Sequence, residues 1–346
     1  MKYVFVFLGE FGYELFNWQG AVRKFSKTLL PTDEIIICSR KGLKPFYEFA
    51  NKYIVISELP YFKHSVANMY WAHNPEVNFY TQHEKVIEGK LDWELFSKKD
   101  IHFQNQMKHE IMNYVFKQLK FTKLKKIFYK KYCRFIFSSD SQILNGVEFG
   151  SPDFDHPFIY KDLKLYNNVF TRIQAPQNIA QFVQQKLGFS LNDPFILCQT
   201  GTRKVIQRSK YHLQYQAVNT LSKHIKVVLL NFDTGRNLDS KSVFPELKNC
   251  FIFSCSSFEE QAVLITHAKN CLFFTEGDFR SHNYLPPFMG KNVYSVADKS
   301  VFDIGTAPIS FWNTNVFTFG GKIIPVYTTD LTTQKQLEIF AQKLVA

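Results

Sequence analysis

Two loops of this sequence carry the residue types that hold a departing diphosphate. The first, Thr200 to Lys210, gathers Thr202, Arg203, Lys204, Arg208 and Lys210 around Gly201. The second gathers Asp278, Arg280, Ser281, His282 and Asn283 behind Gly277. Phosphate oxygens are bound by guanidinium, ammonium and hydroxyl groups, and by the free N–H groups at helix starts. Taken singly, each loop reads as a solvated polar turn. Taken together they predict a phosphate site, with His282 either touching the ligand or holding its own loop. A third loop, Gly9 to Glu14, places Glu10 and Glu14 just after the first apolar run. A carboxylate there can take a proton from an acceptor hydroxyl. Glu10 is read as that base. For Glu14 two readings stand: the same role, or a charge that favours its helix N-terminus.

These loops need elements to position them. The run Tyr3–Leu8 predicts a buried first strand, and Leu15, Trp18, Val22 and Phe25 recur at helical spacing behind it. Further strands are predicted at 34–38 and 53–57, with a helix over 41–51. The pattern restarts at 194–199 (strand), 211–223 (helix), 225–230 (strand) and 250–253 (strand). Ser257 and Glu260 form a capping-box pair at the head of the next helix. The runs 271–274 and 293–296 flank the second polar loop, and 330–345 predicts a closing helix. Alternating strands and helices make parallel sheets, which bind ligands outside the carboxyl ends of their strands. The expected fold class is therefore α/β with two Rossmann-like domains. The first spans 1–170, with a basic helical insert near 110–135. The second spans 190–330, and 331–346 is the terminal helix.

A length of 346 residues fits two domains, and 45% hydrophobic residues suffice for two cores. The net charge of +12 favours an anionic partner. The six cysteines show no metal-like pairing and read as small hydrophobes of a reducing cytosol. The start of the chain lacks the pattern of a signal peptide, and no apolar run is long enough to span a bilayer. A cytoplasmic protein is expected.

The stretch 117–134 interleaves seven lysines and Arg134 with Leu119, Phe121, Leu124, Ile127, Phe128, Tyr129 and Tyr132. It reads either as an anionic-membrane surface or as a solvated helix packed by its apolar stripe. Nucleic acid is not expected, since no nucleic-acid module accompanies the charge. Asp153 and Asp155 could hold a divalent cation, although such pairs are usually turn residues. The histidines between residues 64 and 109 have no ligand spacing. No metal and no cofactor is expected.

The sequence resembles the GT-B glycosyltransferases, and among them the heptosyltransferase-like family of bacterial surface-polysaccharide enzymes. The residues carrying the resemblance are Gly9-Glu10, or less directly Gly12-Tyr-Glu14, and Gly201-Thr-Arg-Lys204. Glu260-Gln-Ala-Val-Leu-Ile-Thr-His-Ala268 leading to Asp278-Phe-Arg-Ser-His282 is similar to the family's helix and loop, as is Gly290-Lys-Asn-Val293. The likeness is best over 194–296. It departs from the family at Arg280, where glycine is usual, and at Glu10, where the family has Asp. It implies two domains facing a cleft, with a nucleotide-sugar in the second and a glycan acceptor, expected to be lipid-linked, in the first. No metal is required. The alternatives are a polysaccharide pyruvyl transferase, a metal-dependent transferase using Asp153 and Asp155, and a non-catalytic nucleotide- or glycan-binding protein at the membrane.

Overall fold

The structure is a computed structural model. It describes residues 1–8, 11, 14–59, 93–138, 140, 142–149, 168–199, 209–231, 244, 247–275, 281–299, 302 and 309–346. For 16, 93–104, 209–211, 281, 282, 311 and 315 only the main chain is described. The chain divides into two compact units. Among the described residues, the first runs from Met1 to Phe149 and adds Asn168 and Val169. The second holds Phe170 to Ala346.

The first unit is built on four parallel strands in the order β3-β2-β1-β4. They are β1 (Lys2–Val6), β2 (Glu34–Ser39), β3 (Lys52–Val55) and β4 (Cys133–Phe137). Both faces of β1 are covered, which is why it reads as an unbroken apolar run. Val4 and Val6 face a core with Met107, Ile111 and Val115 of helix α2 (Trp93–Gln118). Phe5 and Phe7 meet Trp18, and Phe5 also meets Phe25 of helix α1 (Gln19–Ser26) and Phe149. Phe149 belongs to a hairpin, β5 (Gln142–Leu144) and β6 (Val147–Phe149). Its two-residue turn, Asn145-Gly146, has φ of 48° and 74°, the positive values that a twist-matched hairpin turn requires.

The stretch expected as one basic helix is divided. Helix α2 ends at Gln118, and Lys120 turns out of it at φ 53°. Thr122 then caps a separate helix α3 (Lys123–Ile127), accepting from the Lys125 N–H. Arg134 lies in β4. The predicted helix over 41–51 is a single 3-10 turn, Lys44–Tyr47, opened by Pro45.

The second unit holds six parallel strands in the order β12-β11-β10-β7-β8-β9. They are β7 (Phe195–Gln199), β8 (Lys226–Asn231), β9 (Cys250–Ser254), β10 (Asn270–Phe274), β11 (Val293–Ala297) and β12 (Ile323–Tyr327). The chain reverses its direction of travel across the sheet between β7 and β10. That reversal is the switch point at which doubly wound sheets bind ligands. Helices α4 (Ala180–Leu187), α5 (Ser209–Ser222) and α6 (Phe258–His267) belong to this unit, with a short α7 (Leu285–Phe288). Helix α8 (Gln334–Val345) closes the chain behind a full Thr333–Gln336 capping box. Leu337, Phe340, Ala341 and Leu344 of α8 join Val218 and Leu221 of α5 in one core. The terminal helix is therefore part of the second unit.

The predicted cap of α6 is half formed. Ser257 Oγ accepts from the Glu260 N–H at 3.2 Å. The Glu260 carboxylate turns instead to the N–H and hydroxyl of Ser256 and to Lys186. Burial would raise this carboxyl, but those donors outweigh it and hold it below the ordinary glutamate range. All six cysteines are free thiols, and burial pushes those of Cys198 and Cys271 upward.

Candidate functional site

The two loops singled out by their chemistry leave from neighbouring strands. Gln199, the last residue of β7, lies opposite Phe273 of β10, and paired strands run about 5 Å apart. The loop bearing Thr202, Arg203, Lys204 and Arg208 follows β7. The loop bearing Asp278 follows β10 and Thr275. Both thus start at the carboxyl ends of the strands that flank the switch point. The residues Thr202, Arg203, Lys204, Arg208 and Asp278 themselves lie outside the described residues, as do Glu10 and the Asp153–Asp155 pair. Lys210 is in the first turn of α5. Ser281, His282 and Asn283 form a 3-10 turn, Ser281–Tyr284, that runs directly into α7.

Asn283 is buried, and both ends of its amide are engaged within the unit. Its Nδ2 donates to Thr275 Oγ1 at 3.0 Å, and its Oδ1 accepts from Ser295 Oγ at 2.7 Å. It therefore ties Thr275, just after β10, to Ser295 within β11. We expect Asn283→Ala to strand two buried hydroxyls and lower stability by about 1–3 kcal/mol. Urea denaturation checks this; an unchanged midpoint overturns it.

Gln199 was not singled out by sequence. Its side chain is buried at the end of β7, and its Oε1 has no hydrogen-bond partner among the described residues. A buried orphan acceptor at a strand end beside a candidate binding loop is a signal that appears only once burial is known.

In the first unit, β1 and β4 flank the corresponding reversal of strand order. Leu8 N–H donates to Ser138 Oγ at 2.8 Å, tying the chain after β1 to the chain after β4. The loop that carries Glu10 leaves from this place. Glu14 follows it, in a π-helical turn, Glu14–Trp18, and is wholly buried. Its Oε1 accepts from Ser39 Oγ at 2.5 Å and from Tyr47 OH at 2.8 Å. Its Oε2 accepts from Arg40 at 2.7 Å. Tyr53 OH in turn donates to the Arg40 carbonyl. Burial raises the Glu14 carboxyl; Arg40, Ser39 and Tyr47 pull it back without cancelling the rise. The carboxylate expected at a helix start or at the reaction centre is thus also the keystone between the first turn and β2.

Among the described residues no cluster of three or more His, Cys, Asp or Glu side chains could hold a metal ion. Among them also, no helix is long and apolar enough to cross a membrane.

No protein-family model matches the sequence, and no curated protein is similar to it in sequence. Solved structures are similar to it in fold. ADP-heptose lps heptosyltransferase II of E. coli is 11% identical, with 100% of both chains covered and a TM-score of 0.49. A UDP-GlcNAc 2-epimerase from Neisseria meningitidis, bound to UDP-GlcNAc, is 11% identical, with 100% of this chain and 91% of that one covered and a TM-score of 0.41. The glycosyl transferase family 9 structure from Veillonella parvula is 10% identical, with 99% of this chain and 97% of that one covered and a TM-score of 0.51. The likeness to this last structure is one of fold: the chain has the GT-B architecture of two Rossmann-like units and a C-terminal helix.

Proposed function

We propose that this chain is a glycosyltransferase of the GT-B type. It moves a sugar from a nucleotide-sugar donor to a hydroxyl of a lipid-linked surface glycan, in the cytoplasm and without a metal. The observation that carries the reading is the pairing of β7 with β10. It brings the starts of two phosphate-suited loops together at the switch point of a sheet, in a fold shared with a glycosyl transferase family 9 protein.

In this reading the second unit holds the donor. Thr202, Arg203, Lys204, Arg208 and Lys210 meet the diphosphate from one side. Asp278, Ser281 and His282 border it from the other, with Asn283 holding their loop. The bond between the sugar's anomeric carbon and the diphosphate breaks, and the diphosphate leaves with the electron pair. Cationic side chains and N–H groups at the start of the 281–284 turn stabilise that charge as it develops. The acceptor oxygen bonds the anomeric carbon, and its proton passes to Glu10.

Thermal unfolding with nucleoside diphosphates tests the donor site. A ligand that binds only the native state at a hundred times its Kd adds about 2.7 kcal/mol. We expect one of ADP, UDP, GDP or CDP to raise Tm in the wild type, and Arg203→Ala with His282→Ala to abolish the rise. No shift with any of the four overturns the assignment.

A further inference from the structure

The amino-terminal end of the first sheet carries a surface that the transfer reaction does not use. Among the described residues nine large hydrophobic side chains are exposed. Six of them, Met1, Leu30, Leu124, Ile127, Phe128 and Tyr132, belong to segments joined at this end. The joins are backbone hydrogen bonds: Lys2 N–H to the Tyr132 carbonyl, and Glu34 N–H to the Met1 carbonyl. Leu30 sits in the turn that Asp33 closes.

The centre of this surface is α3. No residue of α3 is buried. Leu124, Ile127 and Phe128 are spaced as one helical face, and they are 69%, 71% and 52% exposed. The segment is nonetheless held in place on both sides. Phe121 stacks on Phe116, and Tyr129 packs on Phe116 and Phe135. An apolar face held outward by anchored flanks lacks the cover that the protein itself usually supplies.

The charge around it names the occupant. Between residues 117 and 134 stand seven lysines and Arg134 without one Asp or Glu. Among the described residues none of these eight is in an ion pair; the nearby Lys2 is engaged by Glu34. Lys125 and Lys131 lie over the rings of Tyr132 and Phe128 instead. They also line an open cavity of about 210 Å³ with Lys2, Glu34 and Phe121. Apolar side chains ringed by the lysines of a segment that has no acid of its own, with Glu34 beside them engaged by Lys2, match a bilayer: acyl chains for the wedge, anionic headgroups for the rim.

We infer that the α3 face is an anionic-membrane docking surface, with Leu124, Ile127 and Phe128 entering the headgroup layer and Lys123, Lys125, Lys126, Lys130 and Lys131 pairing with lipid phosphates. It stands apart from the transferase reading, which rests on the second unit's loops. The test is flotation of the full chain with two kinds of vesicle. One is pure phosphatidylcholine and the other is phosphatidylcholine with about one third phosphatidylglycerol. The wild type floats with the anionic vesicles only, and less as salt is raised. Combined Leu124→Ser, Ile127→Ser and Phe128→Ser weakens binding by at least about tenfold at low salt. Its Tm stays unchanged, because those side chains are exposed. Lys123→Gln, Lys126→Gln and Lys130→Gln each cost roughly fivefold. Absence of the wild type from anionic vesicles overturns the inference. So does full binding by the triple serine variant, or tighter binding to an RNA oligonucleotide than to the vesicles. None of these outcomes touches the nucleotide measurements.

Discussion

Glu14→Ala lowers the stability of the first unit by about 3–5 kcal/mol, the usual cost of removing one partner from a buried ion pair. The guanidinium of Arg40 stays in place, only 13% exposed, and the hydroxyls of Ser39 and Tyr47 lose their acceptor. Glu14→Gln costs less. Both hydroxyls can turn to accept from the new amide, and only the charge is lost. The pH dependence follows from the raised carboxyl. Above the ordinary glutamate value, the folded chain keeps a proton that the unfolded chain has already released. Unfolding then sheds a proton, so stability from this group is complete at lower pH and declines as pH rises toward the raised value. Urea midpoints of wild type and Glu14→Ala, compared across pH, check both statements. A difference between them that widens with rising pH would show that Arg40 prevails over desolvation.

Glu10→Gln is expected to reduce kcat by about 10²–10⁴, the range for losing a general base. Donor KM should change little, because the proposed donor contacts are on the second unit and a base acts chiefly in the transition state. The same assay separates the two carboxylates. Glu14→Gln should lose stability and keep its turnover per folded molecule, since both Glu14 oxygens are already bonded within the fold. If Glu10→Gln and Glu14→Gln both turn over like wild type, neither is the base.

The α3 segment joins the start of β1 through the bond from the Lys2 N–H to the Tyr132 carbonyl, and Leu8 follows the other end of that strand. The five residues of β1 span about 17 Å at the rise of an extended chain. On the docking inference, a membrane at α3 would hold the protein from the end of β1 away from Leu8.

Much of the architecture was legible because its causes are local. The buried strands announce themselves as apolar runs, and the helices by their spacing and caps. Ser257 and Thr333 sit where their side chains satisfy free N–H groups. The break after Gln118 was less visible. Lysines and aromatics keep a helical rhythm through 117–134, while the turn depends on a left-handed Lys120 and a new cap at Thr122. The Asn145-Gly146 hairpin had a local signal that reading for long elements passed over.

The site divides in the same way. By itself, the sequence determined which loops are rich in phosphate-binding groups and that they follow strands, since composition and hydrophobic runs are properties of neighbouring residues. Only the tertiary structure decided that β7 lies against β10, for strand pairing joins residues more than seventy positions apart. The same holds for Glu14, whose partners Ser39, Arg40 and Tyr47 arrive with and after a second strand, and for Asn283, turned inward by Thr275 and Ser295. Whether a polar side chain meets solvent, ligand or another part of the fold depends on which distant segment packs over it, and that is settled when the sheets assemble.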